Sequence, residues 1–423
     1  MMRLSVRRGR QLALLLFALL ATTLAVAVAG VAQADTTATT PQPAVGPQSS
    51  SITVKASDLG SFAVSPPAVT SPSAIVVNLR SGAVLFEQGA QIQRAMASTT
   101  KMMTAVVALE NMDVSTEVTV SQTAVSVWEK ADWVEAGDVL TVEQLLYALM
   151  VQSENQAAVA LAEACAGSEA AFVQMMNEKA AELGMRDTHY TNAHGLDAPG
   201  HYSTAADLAT LARYALGSQT IGEMFGKLVS TGDYTTQIQG HDLPTTFQTT
   251  NRLLLQYDWV TGVKTGETAE ARFCLVAAGT KDGVSMVSVI LGQPIQDTCF
   301  AESKLLLEYG LSQYRYVTLL EGGIPLAEAP LPYEADQKAR LVARTTVGME
   351  LYKEDTVTAT VTVDRPLVLP VEAGDVFGRV DLSVDGSLVE TIDLVVSESI
   401  GETTLGTKLV YYLTRFGRWV KGS

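Results

Sequence analysis

The chain has 423 residues, of which 47% are hydrophobic and 17% are charged, so it is able to form a large core. Its formal net charge is −16 at pH 7. Because an acidic surface repels phosphate backbones, this charge argues against nucleic acid as a partner. A chain of this length has room for two domains and for the segments that connect or anchor them.

Residues 1–34 have the pattern of a secretory signal peptide. Four arginines lie within the first ten residues, an apolar run follows over residues 12–30, and Ala32-Gln33-Ala34 supplies a cleavage site of small residues. We therefore expect an exported protein at the outer face of the cytoplasmic membrane, in the periplasm or in the cell wall. The alternative is an N-terminal anchor that is not cleaved, because the apolar run is long for a signal peptide.

Composition divides most of the remaining chain into three segments. Residues 35–72 are rich in proline, serine and threonine, which predicts a linker with a short extended piece near Ser51–Val54. Residues 73–315 have strand-like runs at both ends and helical periodicity between them, which is typical of a mixed α+β domain. Residues 316–400 alternate polar and apolar side chains and contain a hairpin signal, which predicts a small all-β domain.

The tail, residues 401–423, carries apolar side chains at helical spacing, with basic side chains on the opposite face. This pattern predicts an amphipathic helix that lies in the surface of an anionic membrane, since the segment is too short to span a bilayer. The alternative is a terminal helix that packs against the all-β domain.

A candidate nucleophile and its base lie at the start of a predicted buried helix. Ser98-Thr99-Thr100-Lys101 precedes residues 102–109, which are apolar nearly all round. Positions i and i+3 share a helix face, so the side chain of Lys101 is expected beside the hydroxyl of Ser98. A serine needs an adjacent base to act as a nucleophile, and a buried lysine at a helix N-terminus can serve as one. The backbone N–H of Ser98 is then a candidate oxyanion donor.

Two further motifs strengthen this interpretation. Ser153-Glu154-Asn155 falls in a polar break between two helical segments, and Lys264-Thr265-Gly266 follows a β-rich run. The patterns Ser-x-x-Lys, Ser-x-Asn and Lys-Thr-Gly, in this chain order, are the signature of penicillin-binding proteins and serine β-lactamases. The set is far more specific than Ser-x-x-Lys alone, which occurs by chance about once in a chain of this length.

With these motifs, the sequence resembles the low-molecular-mass penicillin-binding proteins of the D-alanyl-D-alanine carboxypeptidase type. The resemblance covers most of the chain beyond the signal peptide. Besides the three motifs, the similar stretches are Ala97–Glu110, Gly137–Ala158, Thr191–Leu196, Asp258–Ala278 and Ala301–Lys304. It implies a serine β-lactamase-like α+β domain over residues 73–315, with an antiparallel sheet and a helical subdomain, followed by the small β-domain.

The resemblance also implies an activity. Ser98 would attack the carbonyl between the two D-alanines of a peptidoglycan stem peptide, with Lys101 as the base. An acyl-enzyme would form and the terminal D-alanine would be released. Ser153 and Asn155 would relay protons and hold the substrate amide. β-Lactam antibiotics would act as inhibitors, and neither a metal nor a cofactor is implied.

The third motif would bind the substrate. The resemblance implies that Lys264 sets the electrostatics of the cleft and that Thr265 binds the terminal carboxylate. Gly266 would let the substrate backbone lie along the strand, and the N–H of Glu267 would complete the oxyanion hole.

Four positions, at three places in the chain, depart from the family pattern. Glu154 and Gln156 stand where the family more often has Gly and Asp, and Glu267 replaces an aromatic residue or histidine. Cys299 occupies the position of an arginine that helps to hold the substrate terminus. We hypothesise that Arg272, on the strand next to the one that carries Lys-Thr-Gly, supplies the missing positive charge.

The three motifs are compatible with further interpretations. A β-lactamase would need a loop base for fast deacylation, and Glu154 is the candidate near the site. A D,D-endopeptidase or a catalytically impaired wall-binding scaffold could carry the same motifs. His194 is expected to hold a turn by hydrogen bonds, because a lysine base is already in place. The four histidines show no metal-ligand spacing, and the three cysteines form no disulfide framework.

Overall fold

The computed structural model describes residues 48–59, 65–127 and 133–421. These residues divide into two compact units, one within residues 63–313 and one that joins residues 48–59 to residues 314–421. The signal peptide expected at residues 1–34 lies outside the described residues.

Strands occur in both units and are numbered along the chain. They are β1 (Gln48–Lys55), β2 (Ser73–Asn78), β3 (Val84–Gln88), β4 (Glu117–Thr119), β5 (Val139–Thr141), β6 (Asp233–Thr236), β7 (Thr245–Gln248), β8 (Val260–Thr268), β9 (Arg272–Lys281), β10 (Val284–Gln293), β11 (Tyr314–Leu320), β12 (Pro325–Leu331), β13 (Glu334–Ala343), β14 (Val347–Tyr352), β15 (Thr356–Val363), β16 (Val376–Val384) and β17 (Ser387–Val396).

The helices are numbered in the same way. They are α1 (Lys101–Asn111), α2 (Gln122–Val125), α3 (Val142–Tyr147), α4 (Asn155–Ala166), α5 (Glu169–Glu182), α6 (Ala205–Gly217), α7 (Gly222–Val229), α8 (Arg252–Gln256), α9 (Gln296–Ser312) and α10 (Leu405–Lys421). Short 3₁₀ segments cover Ala56–Leu59 and Ala97–Thr100, and a π-helical turn covers Ala148–Gln152.

The unit of residues 63–313 is built on a five-stranded antiparallel sheet with the order β3-β2-β10-β9-β8. Strand β2 is buried along its whole length, and β8 is an edge strand. Helices α6 and α9 pack on the sheet, while α1 packs against α4, α5 and α6. This is the α+β architecture expected from the sequence, and it places the edge strand β8 beside the 3₁₀ turn that precedes α1.

Helix α1 is buried on nearly all sides, as its apolar sequence predicts. Its first eight residues are all buried, and they include Lys101. A buried cation is costly unless other groups compensate its charge or it loses its proton. The fold thus isolates Lys101 from water in the position where the sequence predicts a base.

The other unit contains a six-stranded sheet with the order β1-β15-β16-β17-β13-β12 and a separate pair, β11-β14. Its core is formed by apolar side chains that alternate with exposed ones, as in Val380 and Leu382 of β16. The strands of residues 316–400 agree with the all-β interpretation of this segment.

Two parts of the segment predicted as a linker, residues 35–72, are ordered in the structure. Strand β1 pairs along its full length with β15, so partners distant in the sequence supply the hydrogen bonds of this proline-rich segment. In the unit of residues 63–313, the buried carboxylate of Glu302 accepts hydrogen bonds from the backbone N–H and hydroxyl groups of Thr70 and Ser71. The extended piece expected near Ser51–Val54 lies within β1. Its pairing with β15 and the contacts of Thr70 and Ser71 with Glu302 were not predicted, because composition does not report contacts with remote elements.

The tail forms α10, which carries exposed apolar side chains such as Leu409, Leu413 and Phe416. The ring of Tyr333 lies edge-on to the ring of Tyr411, at 5.6 Å between centroids. In the part of the chain that the structure describes, no helix has both the length and the apolar character needed to cross a bilayer.

Candidate active site

The predicted nucleophile lies on the 3₁₀ turn Ala97–Thr100, directly before α1. Ala97 has a φ of 49°, a left-handed conformation that is uncommon for a residue with a side chain. Its neighbours fix the turn: the hydroxyl of Thr99 donates to the carbonyl of Met96 at 2.6 Å, and the hydroxyl of Thr100 donates to the carbonyl of Ala97 at 2.8 Å. The half-buried side chain of Ser98 is thereby held beside Lys101.

Three oxygen atoms surround the side-chain nitrogen of Lys101. Its Nζ lies 2.8 Å from Oγ of Ser98, 2.7 Å from Oδ1 of Asn155 and 2.6 Å from the backbone oxygen of His194. The amide and backbone oxygens can only accept, so they take the two hydrogens of a neutral amine. The remaining lone pair then points to the hydroxyl of Ser98, which is the arrangement that a general base requires.

Electrostatics favour the neutral form of Lys101. Burial holds the pKa of its amine well below the usual value, the nearby cation of Lys264 lowers it further, and the carboxylate of Glu154 opposes the shift. Burial also lowers the pKa of Lys264, to about 7.

The second motif lies where the π-helical turn Ala148–Gln152 meets α4. Ser153 adopts a left-handed conformation, with a φ of 70° and a ψ of 32°, and Asn155 begins α4. This sharp change of direction brings Asn155 to the base Lys101. The resemblance implied that Asn155 holds the substrate amide, whereas in this structure its side-chain oxygen contacts Lys101.

The third motif lies on the edge strand β8. The amine of Lys264 is buried and donates to the backbone oxygen of Thr265 at 3.2 Å. The hydroxyl of Thr265 lies 2.5 Å from that of Thr250, a residue that no motif indicated. Thr250 directly precedes Asn251, the N-cap residue of α8. The contact therefore connects Thr265, the residue expected to bind the substrate carboxylate, to the start of α8.

Gly266 lets β8 come very close to the nucleophile. A Cβ atom at this position would lie 2.9 Å from the backbone nitrogen of Ser98 and 3.0 Å from Cβ of Ala97. Real Cβ atoms essentially never approach backbone atoms this closely. A glycine is therefore needed at this position to leave the N–H of Ser98 accessible, a reason that differs from the substrate-backbone role implied by the resemblance.

Glu267 and Arg272 lie toward the end of the β8–β9 hairpin. Both side chains are exposed, and Arg272 is paired in register with Thr268. Thr268 in turn donates from its hydroxyl to Asp197 at 2.6 Å. Arg272 thus lies on the strand paired with β8, as the hypothesis requires, and its register partner Thr268 is three residues, or about 10 Å of strand, from Thr265.

The segment 192–196 closes the other side of the base. Oδ1 of Asn192 accepts a hydrogen bond from the backbone N–H of Gly195 at 2.6 Å. Nδ1 of His194 accepts one from the backbone N–H of Leu196 at 3.1 Å. The ring of His194 thus holds a turn, as expected. The contact of its backbone carbonyl with Lys101 had no signal in the sequence, because any residue type supplies a carbonyl.

Cys299 lies on α9 and is buried. Burial raises the pKa of its thiol, so it stays neutral and is unsuited to act as a nucleophile or as a carboxylate-binding group. Among the described residues, no group of three or more His, Cys, Asp or Glu side chains could hold a metal ion.

Two family models match the chain in succession. Residues 60–295 match the Peptidase_S11 model, described as D-alanyl-D-alanine carboxypeptidase. Residues 314–402 match the model of the C-terminal domain of penicillin-binding protein 5.

Individual relatives agree with these matches. The chain is 31% identical over 373 residues to the D-alanyl-D-alanine carboxypeptidase DacD of Salmonella typhimurium. This match covers 84% of the chain and 93% of the relative. The chain is 29% identical over 358 residues to DacF of Bacillus subtilis, with coverages of 82% and 90%. Among solved structures, penicillin-binding protein 5 from Haemophilus influenzae matches with a TM-score of 0.57 and 28% identity, and the match covers 80% of this chain and all 100% of that one.

A match to the Streptomyces K15 DD-transpeptidase is confined to part of the chain. It has a TM-score of 0.55 and 31% identity and covers 59% of this chain and 100% of that protein. The family models, the relatives and the geometry around Ser98 therefore agree: the chain belongs to the Peptidase_S11 family of D-alanyl-D-alanine carboxypeptidases and carries the C-terminal domain of penicillin-binding protein 5.

Proposed function

We propose that this protein removes the terminal D-alanine from peptidoglycan stem peptides through an acyl-enzyme on Ser98. The observation that carries the proposal is the 2.8 Å contact between Oγ of Ser98 and Nζ of Lys101, within a site whose two other acceptors fix the direction of the amine lone pair. The family supplies the class of reaction, and this geometry supports the proposed roles of Ser98 and Lys101.

In the acylation step, Lys101 takes the proton of the Ser98 hydroxyl while Oγ attacks the carbonyl between the two D-alanines. The developing oxyanion accepts hydrogen bonds from the N–H groups of Ser98 and Glu267. Lys101 then returns its proton to the leaving amine by way of the hydroxyl of Ser153, and D-alanine departs. A water molecule hydrolyses the ester in the second half of the reaction, with the same base.

Binding of the substrate terminus involves the edge strand β8. The hydroxyl of Thr265 donates to the terminal carboxylate, and the positive field of Lys264 stabilises it. Thr250 holds the Thr265 hydroxyl before the substrate arrives, which reduces the entropy lost on binding. Arg272 stays a prediction as the additional cation.

We further propose an exported protein whose α10 lies in the membrane surface outside the cytoplasm. The exposed apolar side chains of Leu409 and Leu413 support this placement, because a helix with exposed apolar side chains on one face and basic residues on the other is typical of interfacial helices. Anionic lipids are the expected partner of its basic residues.

Mass spectrometry of the full chain after incubation with benzylpenicillin tests the proposal. We expect a stable adduct of one drug molecule on the wild type and none on Ser98→Ala, while Ser126→Ala, on an exposed turn, keeps the adduct. Rapid hydrolysis of the drug without an adduct would instead identify a β-lactamase, and no reaction would identify an impaired scaffold.

Substrate assays separate the two peptidase activities. We expect release of D-alanine from a pentapeptide that ends in D-Ala-D-Ala, at a rate well above the cleavage of a cross-linked dimer. Faster cleavage of the dimer would assign the protein as a D,D-endopeptidase.

A further inference from the structure

The N–H of Ser98 belongs to the same peptide group as the carbonyl of Ala97. A trans peptide is planar and its C=O and N–H point in opposite directions, so any group that holds the Ala97 oxygen also sets the direction of the Ser98 N–H. That oxygen accepts the hydroxyl proton of Thr100 at 2.8 Å. Gly195 makes room for this arrangement, because a Cβ there would lie 2.1 Å from the Ala97 oxygen and 2.9 Å from Oγ1 of Thr100.

A second hydrogen bond controls the hydroxyl of Thr100. Nε2 of His201 lies 2.8 Å from Oγ1 of Thr100, and Nδ1 of His201 lies 3.0 Å from the backbone nitrogen of Thr191. A backbone N–H can only donate, so Nδ1 is the acceptor and the ring proton resides on Nε2. His201 therefore donates to Thr100, whose own proton is left for the carbonyl of Ala97.

The resulting chain of hydrogen bonds has one direction and is shielded from water. It runs from the Thr191 N–H through His201 and Thr100 to the peptide group of Ala97 and Ser98. His201 is 6% exposed and Thr100 is 0% exposed. Burial lowers the pKa of His201 to about 4, which keeps the ring neutral at neutral pH and preserves the acceptor at Nδ1.

We propose that His201 is a positioning residue of the oxyanion hole, which acts through Thr100 to orient and polarise the Ala97–Ser98 peptide group. Hydrogen bonds in such a chain strengthen one another, so a carbonyl that accepts from Thr100 makes the Ser98 N–H a better donor. The effect is largest when negative charge develops on the substrate oxygen, so it acts on the transition state more than on substrate binding. No proton is transferred along this series of hydrogen bonds. The inference rests on the proposed function in that Ser98 is the nucleophile.

A double-mutant cycle on the full-length protein tests this chain of hydrogen bonds, which we call the His201–Thr100 relay. It uses His201→Phe, Thr100→Val and the double variant. We expect each single variant to slow acylation by benzylpenicillin about 10- to 100-fold, and the double variant to be no slower than the slower single one. With a D-Ala-D-Ala peptide, kcat falls and KM is unchanged. His201→Gln, whose amide can still donate to Thr100, restores much of the rate.

His189→Phe is the matched control, since His189 is exposed and bonds the carbonyl of Gly200 instead of an active-site group. It leaves the acylation rate unchanged. The relay is overturned if the effects of His201→Phe and Thr100→Val multiply in the double variant, or if the unfolding midpoint falls while the acylation rate of folded protein stays at the wild-type value. A wild type that forms no Ser98 adduct would refute the proposed function itself, which is a different outcome.

Discussion

The side-chain oxygen of Asn155 lies 2.7 Å from Nζ of Lys101, so the first residue of α4 helps to set the charge state of the base. A neutral amide oxygen accepts one hydrogen of the amine and adds no negative charge to the buried site. The amine can therefore stay deprotonated, which its role as the acceptor of the Ser98 proton requires.

Asn155→Asp should slow acylation by stabilising the wrong form of Lys101. A carboxylate of the same shape raises the pKa of the neighbouring amine, so the acid limb of the pH–rate profile moves to higher pH. At a pH on this limb, each unit of movement slows acylation about tenfold. Stopped-flow or quench measurements with benzylpenicillin from pH 5 to 10 give the profile. Asn111→Asp, at the far end of α1, controls for the added charge, and a profile of Asn155→Asp that coincides with the wild type would contradict the role.

Glu154→Gln should have the opposite effect. The carboxylate of Glu154 raises the pKa of Lys101 against the larger lowering by burial, so its removal shifts the acid limb to lower pH. We expect acylation at pH 6 to become about threefold faster, as an attraction weakened by solvent implies. The exposed Glu178 provides a matched loss of charge through Glu178→Gln. An acid limb that moves upward in Glu154→Gln would show that this carboxylate assists the base.

Gly266→Ala should distort the oxyanion hole, because β8 runs against the turn that carries Ser98. The added Cβ would meet the Ser98 nitrogen at 2.9 Å, so the strand must move away from the donor that stabilises the transition state. Loss of one such donor lowers kcat about 100- to 1,000-fold. Gly226→Ala on α7 is the control, since nothing lies within 4 Å of a Cβ there. Equal activity of the two variants, measured as release of D-alanine, would rule out the close approach as a functional constraint.

The sequence predicts the parts of the site that depend on local spacing. Ser98 and Lys101 lie three residues apart, so the helix itself brings them together once the run after Lys101 is recognised as helical. The same holds for the strand that carries Lys264 and for the alternation that predicts the β-domain. These inferences need only the period of one element.

Contacts between remote residues could not be found in this way. His201 and Thr100 are 101 positions apart, and Thr53 of β1 pairs with Thr358 of β15 across 305 positions. Such pairs depend on how elements pack, which composition and periodicity do not encode. Composition therefore predicted a linker with a short extended piece near Ser51–Val54, but not that this piece pairs with β15 as an edge strand.

Arg272→Ala tests the source of the positive charge that Cys299 cannot supply. If Arg272 attracts the terminal carboxylate, KM for a D-Ala-D-Ala peptide should rise about tenfold, which corresponds to the loss of about 1.4 kcal/mol of electrostatic attraction. KM for the same peptide with an amidated terminus should not change, since that substrate has no carboxylate. Steady-state release of the C-terminal residue measures both.

Arg252→Ala is the informative comparison for that experiment. Arg252 lies two residues after Thr250, the residue that contacts Thr265. The guanidinium of Arg252 pairs with Asp297 at 2.8 Å, and Asp297 lies two residues before Cys299 on α9. A selective rise in KM for the carboxylate peptide in Arg252→Ala, with Arg272→Ala unaffected, would refute the assignment of Arg272. The charge would then come from α8, on the same side of the site as Thr250, and not from the end of the β8–β9 hairpin.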